Sequence, residues 1–122
     1  MPTTVMFDGG PVEFDNRTPH ELRIYNMDKT EVVAVIPSSG MVRVSETLNV
    51  VSDHKDEVPL VEIIRDPNKL KGLPHQVPGR YIIVSDLAYQ AAMPLRRTDI
   101  LRPGPAVRDS EGRIIGCQGV SL

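Results

Sequence analysis

Tryptophan is absent from this 122-residue sequence, and aromatic residues make up only 4% of it. A hydrophobic core therefore has to be built mainly from Val, Ile and Leu. Cys117 is the only cysteine, so an intramolecular disulfide is excluded. The length suits one domain spanning residues 1–122. Because a domain of this size buries little surface, self-association would be a natural way to bury more.

The sequence also lacks an excess of basic charge. Its 14 Lys and Arg residues are offset by 16 Asp and Glu residues, which gives a formal net charge of −2. Proteins that bind duplex nucleic acid usually carry a clear basic excess, because phosphate neutralisation supplies much of their affinity. We therefore expect no duplex nucleic acid as partner. A small anionic ligand needs only two or three arginines and stays open.

No apolar run approaches the roughly 20 residues that cross a bilayer, and no secretory signal follows Met1. We therefore expect a cytoplasmic protein with no membrane partner.

Eleven prolines and nine glycines divide the chain into short segments, which favour strands over long helices. The sequence predicts a strand-rich α+β fold with antiparallel or mixed sheets. One short helix is expected near residues 85–93, where Ser85 can cap residues 86–92 and Pro94 stops them. Residues 106–108 and 113–115 flank a turn ending at Gly112, which predicts a C-terminal hairpin. Further strands are predicted at residues 21–26, 29–36, 41–44, 48–51, 58–64 and 81–84.

Residues able to hold a metal or to attack a substrate are few. His20, His54 and His75 lie far apart in the sequence, and there is no second cysteine to form a close-spaced ligand pair. Cys117 could act as a nucleophile with a distant histidine, but a lone cysteine in an apolar strand is usually a small buried hydrophobe. We expect no metal site, no cofactor and no enzymatic activity.

Arginines gather near the predicted hairpin. Guanidinium groups bind phosphates through paired hydrogen bonds and stack on bases, which suits a nucleotide ligand. Nearby Asp99 and Asp109 could orient the arginines or accept hydrogen bonds from a ribose. The alternative is that the hairpin charges are solvated and only weakly paired, and composition alone favours it. The arginines concerned are Arg96, Arg97, Arg102, Arg108 and Arg113.

Several short motifs occur in an order that resembles a family of small phage and prophage proteins, the first-described Thoeris anti-defence proteins. The resemblance covers most of the chain from Asn16 onward, and the order of the motifs carries it. The motifs are Asn16-Arg17-Thr18-Pro19-His20, Pro37-Ser38-Ser39-Gly40 with Arg43, Pro78-Gly79-Arg80-Tyr81-Ile82-Ile83-Val84-Ser85, Arg97-Thr98-Asp99-Ile100, Pro103-Gly104, and Val107-Arg108-Asp109 through Gly112 to Ile115-Gly116-Cys117.

The resemblance implies a protein that sequesters a cyclic nucleotide immune signal without cleaving it. The ligand would be a cyclic ADP-ribose isomer or a cyclic oligonucleotide, and the protein would form homo-oligomers, either dimers or hexamers. Arg108 would be the principal phosphate or base contact. The bases of the ligand would stack on Tyr81, Tyr89, Met93 or the plane of an arginine guanidinium. The expected ligand-binding residues are Arg108, Asp109, Arg96, Arg97, Thr98, Asp99, Arg113, Tyr89 and Met93.

Two other functions remain open from the sequence. A phage structural or assembly protein would form large homotypic assemblies and bind no small molecule. An enzyme acting on a nucleotide would need a metal-ligand set or a histidine pair, neither of which is evident.

Overall fold

The computed structural model describes residues 2–122. That part of the chain forms eleven strands, one α-helix and two short 3₁₀ helices. The strands are β1 (Thr3–Phe7), β2 (Gly10–Asn16), β3 (Leu22–Tyr25), β4 (Val32–Ile36), β5 (Glu46–Ser52), β6 (Leu60–Arg65), β7 (Arg80–Ile83), β8 (Ile100–Pro103), β9 (Ala106–Arg108), β10 (Ile114–Gln118) and β11 (Val120–Ser121); the helix is α1 (Asp86–Ala92), and the 3₁₀ helices are Pro67–Lys69 and Met93–Leu95.

The larger sheet has five strands in the order β1-β2-β7-β8-β11. Strands β2, β7 and β8 run parallel, while β1 and β11 pair antiparallel at the two edges. The continuous apolar run at residues 81–84 predicted a strand that is buried on both faces. That prediction is confirmed, because β7 is the central strand and both Ile82 and Ile83 are fully buried.

The second sheet has the order β4-β3-β10-β9, in which only β3 and β10 are parallel. The chain passes from the first sheet to the second between β8 and β9, and it returns between β10 and β11. The amide of Gly104 in the first crossing donates to the carbonyl of Gly119 in the second, over 3.0 Å. With mixed and antiparallel sheets and one short helix, the predicted α+β class is confirmed.

Two hydrophobic clusters occupy the faces of the larger sheet. Phe14, Ile83 and Leu101 face the second sheet, where they meet Ile24, Ile36 and Cys117. On the other face, Ile82 and Ile100 pack against Ala88 and Ala92 of α1. The helix therefore lies on the outer face of β7 and β8, and the chain that follows it returns directly into β8.

Sequence patterns located most elements but not all of them. The helix and the C-terminal hairpin are confirmed at the predicted positions, and β6 begins immediately after Pro59. Strands β1, β2, β8 and β11 were not predicted. The extended run predicted at residues 41–44 does not form a strand; only Arg43 pairs there, in an isolated bridge with Lys71.

Strands β5 and β6 form a separate two-stranded sheet that pairs with no other strand among residues 2–122. We call residues 46–65 the arm. Nearly all of its strand side chains are exposed, and none belongs to either hydrophobic cluster.

Candidate functional site

The candidate site is built at the end of α1, where the chain turns back towards β8. Ser85 caps the helix by accepting a hydrogen bond from the amide of Ala88 over 3.3 Å. The 3₁₀ helix Met93–Leu95 continues it for one turn. Arg96 then adopts a left-handed backbone conformation, with φ of 54°, and ends the helical path. Such a conformation is unusual for a residue with a side chain, and it sets the direction of the segment that follows.

A cleft of about 170 Å³ lies at this turn. Its lining combines an aromatic ring, a thioether, small aliphatic groups and one guanidinium. Residues of these types can stack on a flat ring while a cation contacts an anionic group. The lining residues are Tyr89, Ala92, Met93, Arg97 and Ile100.

Arg97 is held in place at this cleft by Asp99. Its Nε and Nη2 donate to the two carboxylate oxygens of Asp99 over 2.9 and 2.7 Å. The Asp99 carboxylate is almost completely buried, whereas 18% of the Arg97 side chain stays accessible. The prediction that Asp99 orients a nearby arginine is confirmed. The pair leaves part of the guanidinium free to meet a ligand.

Tyr89 has a second arginine on its ring. The guanidinium carbon of Arg102 lies 4.8 Å from the ring centroid, and Arg102 also forms an ion pair with Asp86. Cation–π contact of this kind fixes the orientation of the ring. Arg102 belongs to the arginine cluster predicted from the sequence, but its contact with the Tyr89 ring was not predicted. The signal was present, since Asp86 and Tyr89 share one helix face.

Tyr81 does not lie at this cleft. Its ring makes edge-to-face contacts with Phe7 at 5.1 Å and with Phe14 at 6.1 Å, on the side of the larger sheet that faces the second sheet. Of the two tyrosines considered for base stacking, Tyr89 is therefore the one placed beside Met93 and Arg97.

Thr98 faces a different cleft, of about 210 Å³, formed with residues 76–81. Its hydroxyl accepts a hydrogen bond from the side-chain amide of Gln76 over 3.1 Å. Arg96 is exposed and close in sequence to both clefts. The predicted segment 96–99 thus divides its side chains between two surfaces.

The predicted residues at the hairpin end close the turn between β9 and β10. Arg108 donates to the carbonyl of Gly112 over 2.7 Å. Asp109 accepts from the amides of Glu111 and Arg113 and from the Arg113 side chain. These hydrogen bonds, led by the one from the Arg113 amide, lower the pKa of Asp109. The carboxylate is therefore ionised at neutral pH and stabilises the turn. Its pairing with Arg113, whose side chain is 73% exposed, fits both the predicted orienting role and the alternative of weakly paired hairpin charges.

The two groups of predicted residues belong to different parts of the fold. Tyr89, Met93, Arg97 and Asp99 come together beside the larger sheet, whereas the hairpin group lies in the second sheet. Among residues 2–122, no recorded hydrogen bond or ion pair joins the two groups. The crossing between β8 and β9 separates them, although they are neighbours in the sequence.

Cys117 is buried between the sheets, and this burial raises the pKa of its thiol. It is therefore protonated at neutral pH, which is the unreactive form of the thiol.

Residues 2–122 contain no group of three or more His, Cys, Asp or Glu side chains placed to share a metal ion. None of the helices in those residues is long and apolar enough to span a membrane.

Larger clefts exist elsewhere, but their lining is different. A groove of about 760 Å³ runs between β1 and the β3–β4 edge, and no charged residue lines it. A cleft of about 410 Å³ between β3 and β10 contains Glu21 and Arg23 at its rim and Cys117 in its wall. The groove therefore has no arginine or lysine to bind an anionic ligand. The second cleft has Arg23, but the acidic Glu21 lies in the same cleft.

Comparison with models of known protein families gives no match for this chain, and neither do searches of curated proteins and of solved structures.

Proposed function

We propose that this protein binds and sequesters a cyclic nucleotide signal without cleaving it, as a phage or prophage anti-defence protein in the cytoplasm of a bacterial host. The resemblance of the ordered motifs supplies the ligand class, either a cyclic ADP-ribose isomer or a cyclic oligonucleotide. The cleft at Tyr89, Met93 and Arg97 is the structural observation that supports the proposal.

The cleft, at about 170 Å³, has room for one nucleobase of such a ligand and not for the whole molecule, and its chemistry suits that part. A nucleobase would stack against Tyr89 and Met93, which present an aromatic face and a polarisable thioether. Arg97 would meet a phosphate with the N–H groups that Asp99 does not use. Arg96 would supply a second cation from the exposed side of the turn. Because Arg102 and Asp99 already fix Tyr89 and Arg97, little side-chain freedom would be lost on binding.

Arg108, Asp109 and Arg113 form the second proposed ligand contact. Arg108 uses one N–H on the carbonyl of Gly112, which leaves further donors directed to solvent. In the proposed dimer or hexamer, the hairpin would contact ligand through Arg108, with Asp109 and Arg113 setting its geometry. Its contribution can be measured separately from that of the cleft.

The test is a filtration experiment. The purified protein is incubated with cyclic ADP-ribose isomers and cyclic trinucleotides, and the protein is then removed on a filter. Depletion of one nucleotide from the filtrate, with intact recovery after heating, supports sequestration. A cleaved product would instead identify an enzyme. If every nucleotide stays in the filtrate, the proposal is wrong.

Variants assign the site. Tyr89→Leu and Arg96→Ala should each weaken binding at least tenfold if the α1 cleft holds the ligand, since one stacking or phosphate contact is lost. Arg108→Ala tests the hairpin in the same way. Arg23→Ala is the matched control, because Arg23 is a half-exposed arginine whose nearest ion-pair contact, to Glu21, is 3.9 Å long. Equal loss in Arg23→Ala would overturn both site assignments.

The assembly-protein alternative is favoured by one observation, the exposed aliphatic side chains of the arm. It predicts large homotypic particles and no thermal stabilisation by any nucleotide. A nucleotide-dependent rise in the unfolding temperature would exclude it as the sole function.

A further inference from the structure

The arm is a two-stranded sheet that no other strand of residues 2–122 extends. Eight of its Leu, Val and Ile side chains are exposed, among them Val58 at 91% and Leu48 at 63%. An isolated two-stranded sheet is marginal in water, because one face at least has to be covered before the strands are stable. The arm is thus a hairpin whose aliphatic side chains would gain stability from a covering surface.

The strand register shows which face needs covering. Directly opposed residues in an antiparallel pair share a face, and faces alternate along each strand. Leu48 lies opposite Ile63, and Val50 lies opposite Val61. These four residues form what we call the aliphatic face, and between 43% and 63% of each is exposed.

The opposite face of the same strands is more polar. There Thr47 pairs with Ile64, and Asn49 pairs with Glu62. The aliphatic side also carries the Glu46–Arg65 ion pair at its base end, and the other side carries the exposed Ile64. The alternation expected for a sheet with one covered side therefore holds at the centre of the arm, in residues 48–50 and 61–63. Within residues 2–122, no further strand pairs with the arm, and none of its side chains belongs to either hydrophobic cluster.

The tip of the arm and its base, which includes the adjoining residues before 46 and after 65, carry opposite net charges. The tip, residues 53–57, has three acidic residues and one lysine, a formal net charge of −2. The base, residues 43–46 and 65–71, has four basic and two acidic residues, a formal net charge of +2. The charged residues are Asp53, Lys55, Asp56 and Glu57 at the tip, and Arg43, Glu46, Arg65, Asp66, Lys69 and Lys71 at the base.

We propose that the arm packs on the arm of a second copy of this chain, aliphatic face to aliphatic face and in opposite directions about a twofold axis. In this arrangement the acidic tip of each arm lies over the positively charged base of the other arm. The two aliphatic faces cover one another in the way that stacked sheets do. A surface that is complementary to itself in both apolar pattern and charge is typical of a twofold interface.

The second copy fits the arm better than an unrelated partner does. Each copy carries both the acidic tip and the basic segments at the base, so a second copy supplies the complement to both ends at once. The interface also has room to extend beyond the arm. Arg65 at the base lines a small cleft with Leu87 and Ala91 of α1, and Leu87 is itself half exposed.

The first experiment compares two substitutions that add the same charge to adjacent positions of β5. The molar mass in solution is measured by sedimentation at several micromolar concentrations. Leu48→Glu places a carboxylate in the aliphatic face and should weaken dimerisation about 100-fold, as expected for a central interface residue. Thr47→Glu places the same group on the polar face, opposite the uncharged Ile64, and should leave the mass unchanged.

A second experiment tests the direction of packing. Asp53→Lys with Glu57→Lys changes the tip to a net charge of +2, and Lys69→Glu with Lys71→Glu changes the base to −2. Each pair alone should weaken the dimer, and the effect should decrease at high salt. All four substitutions together should restore it, because tip and base are again opposite in sign.

The outcomes are decisive. A wild-type chain that is monomeric at all concentrations overturns the proposal, as does a Leu48→Glu variant that keeps its mass. An equal loss with Thr47→Glu overturns the choice of face, and a quadruple variant that is not restored overturns the antiparallel arrangement. Circular dichroism and the filtration assay are run on every variant. Since the inference does not rest on ligand binding, failure to bind nucleotides leaves it standing.

Discussion

The guanidinium of Arg97 and the carboxylate of Asp99 meet through two parallel hydrogen bonds of 2.9 and 2.7 Å. The same contact recurs at the end of β2, where Arg17 donates to both oxygens of Asp15 over 2.9 and 3.1 Å. In each pair the two residues are separated by one position in the sequence, and the carboxylate is buried. Both pairs lie at ends of the parallel strands, where they fix the chain entering or leaving the larger sheet.

We expect Asp99→Ala to lower the free energy of unfolding by about 3 kcal/mol, since removing one partner leaves the half-buried guanidinium of Arg97 unpaired. Urea unfolding measures this. Glu21→Gln is the control, because the exposed Glu21–Arg23 pair at 3.9 Å should contribute less than about 0.5 kcal/mol. Similar losses in both variants would contradict a special contribution from the buried pair.

Asn16 is fully buried and uses its whole side chain. Its amide nitrogen donates to the carbonyls of His20 and Ile36 over 2.9 and 3.0 Å, and its oxygen accepts from the amide and hydroxyl of Thr18. Asn16→Ala should cost about 3 kcal/mol of unfolding free energy, because buried backbone groups lose their partners.

Asn26 provides the comparison for Asn16. Its oxygen likewise accepts from backbone amides, those of Thr30 and Glu31, but in an exposed turn where water can replace it. Asn26→Ala should therefore cost about 1 kcal/mol or less. If chemical denaturation gives the same loss of unfolding free energy for both variants, burial does not explain the contribution of Asn16 to stability.

Gly104 lies where the chain crosses between the sheets. A methyl group there would collide with the carbonyl oxygen of Gln118 and come within 2.9 Å of that of Gly119. Gly104→Ala should lower stability by about 2–3 kcal/mol, because the backbone of the neighbouring crossing has to move. Gly10→Ala meets nothing within 4 Å and should change stability by no more than about 0.5 kcal/mol. Thermal unfolding of both variants checks the difference.

Cys117 gives the protein a stability term that depends on pH. Burial raises the pKa of its thiol, so the folded state keeps the proton to higher pH than the unfolded state does. The stabilisation is complete below the unfolded pKa of about 8.5 and is lost as the pH rises towards the folded value. Between these values, unfolding free energy should fall with pH more steeply in wild type than in Cys117→Ala, by up to about 1.4 kcal/mol per pH unit. If the curves of unfolding free energy against pH are parallel for wild type and Cys117→Ala, the pH dependence does not come from Cys117.

Local sequence signals were sufficient for elements whose partners are close in the chain. Ser85 and Pro94 bounded the helix, and Gly112 marked the C-terminal turn, because caps and turns depend on a few adjacent residues. The apolar run at residues 81–84 also identified the central strand. These features could be predicted without any tertiary information.

Contacts between distant segments could not be predicted in the same way. The aliphatic residues of β5 and β6 have the composition of core strands, yet they are exposed, because periodicity does not say which surface a strand meets. The arginines at 96–113 were treated as one cluster, but the sheet crossing after Pro103 separates them. Strand β1 was missed although it precedes the Asp8-Gly9 turn, since its short alternation of Thr, Val and Phe is ambiguous alone.

The parallel pairings have a consequence for the rate at which the chain folds. Glu13 pairs with Arg80, and Ile24 pairs with Cys117, so both sheets close only after long loops are ordered. Loop closure of this kind is slow, on the order of milliseconds to seconds for sheet-rich domains. The hairpin of β5 and β6 closes through local contacts and can form transiently about a thousandfold sooner, although it becomes stable only when one face is covered. Aliphatic strands would then be exposed on chains whose sheets are still incomplete, and refolding yield should fall as protein concentration rises.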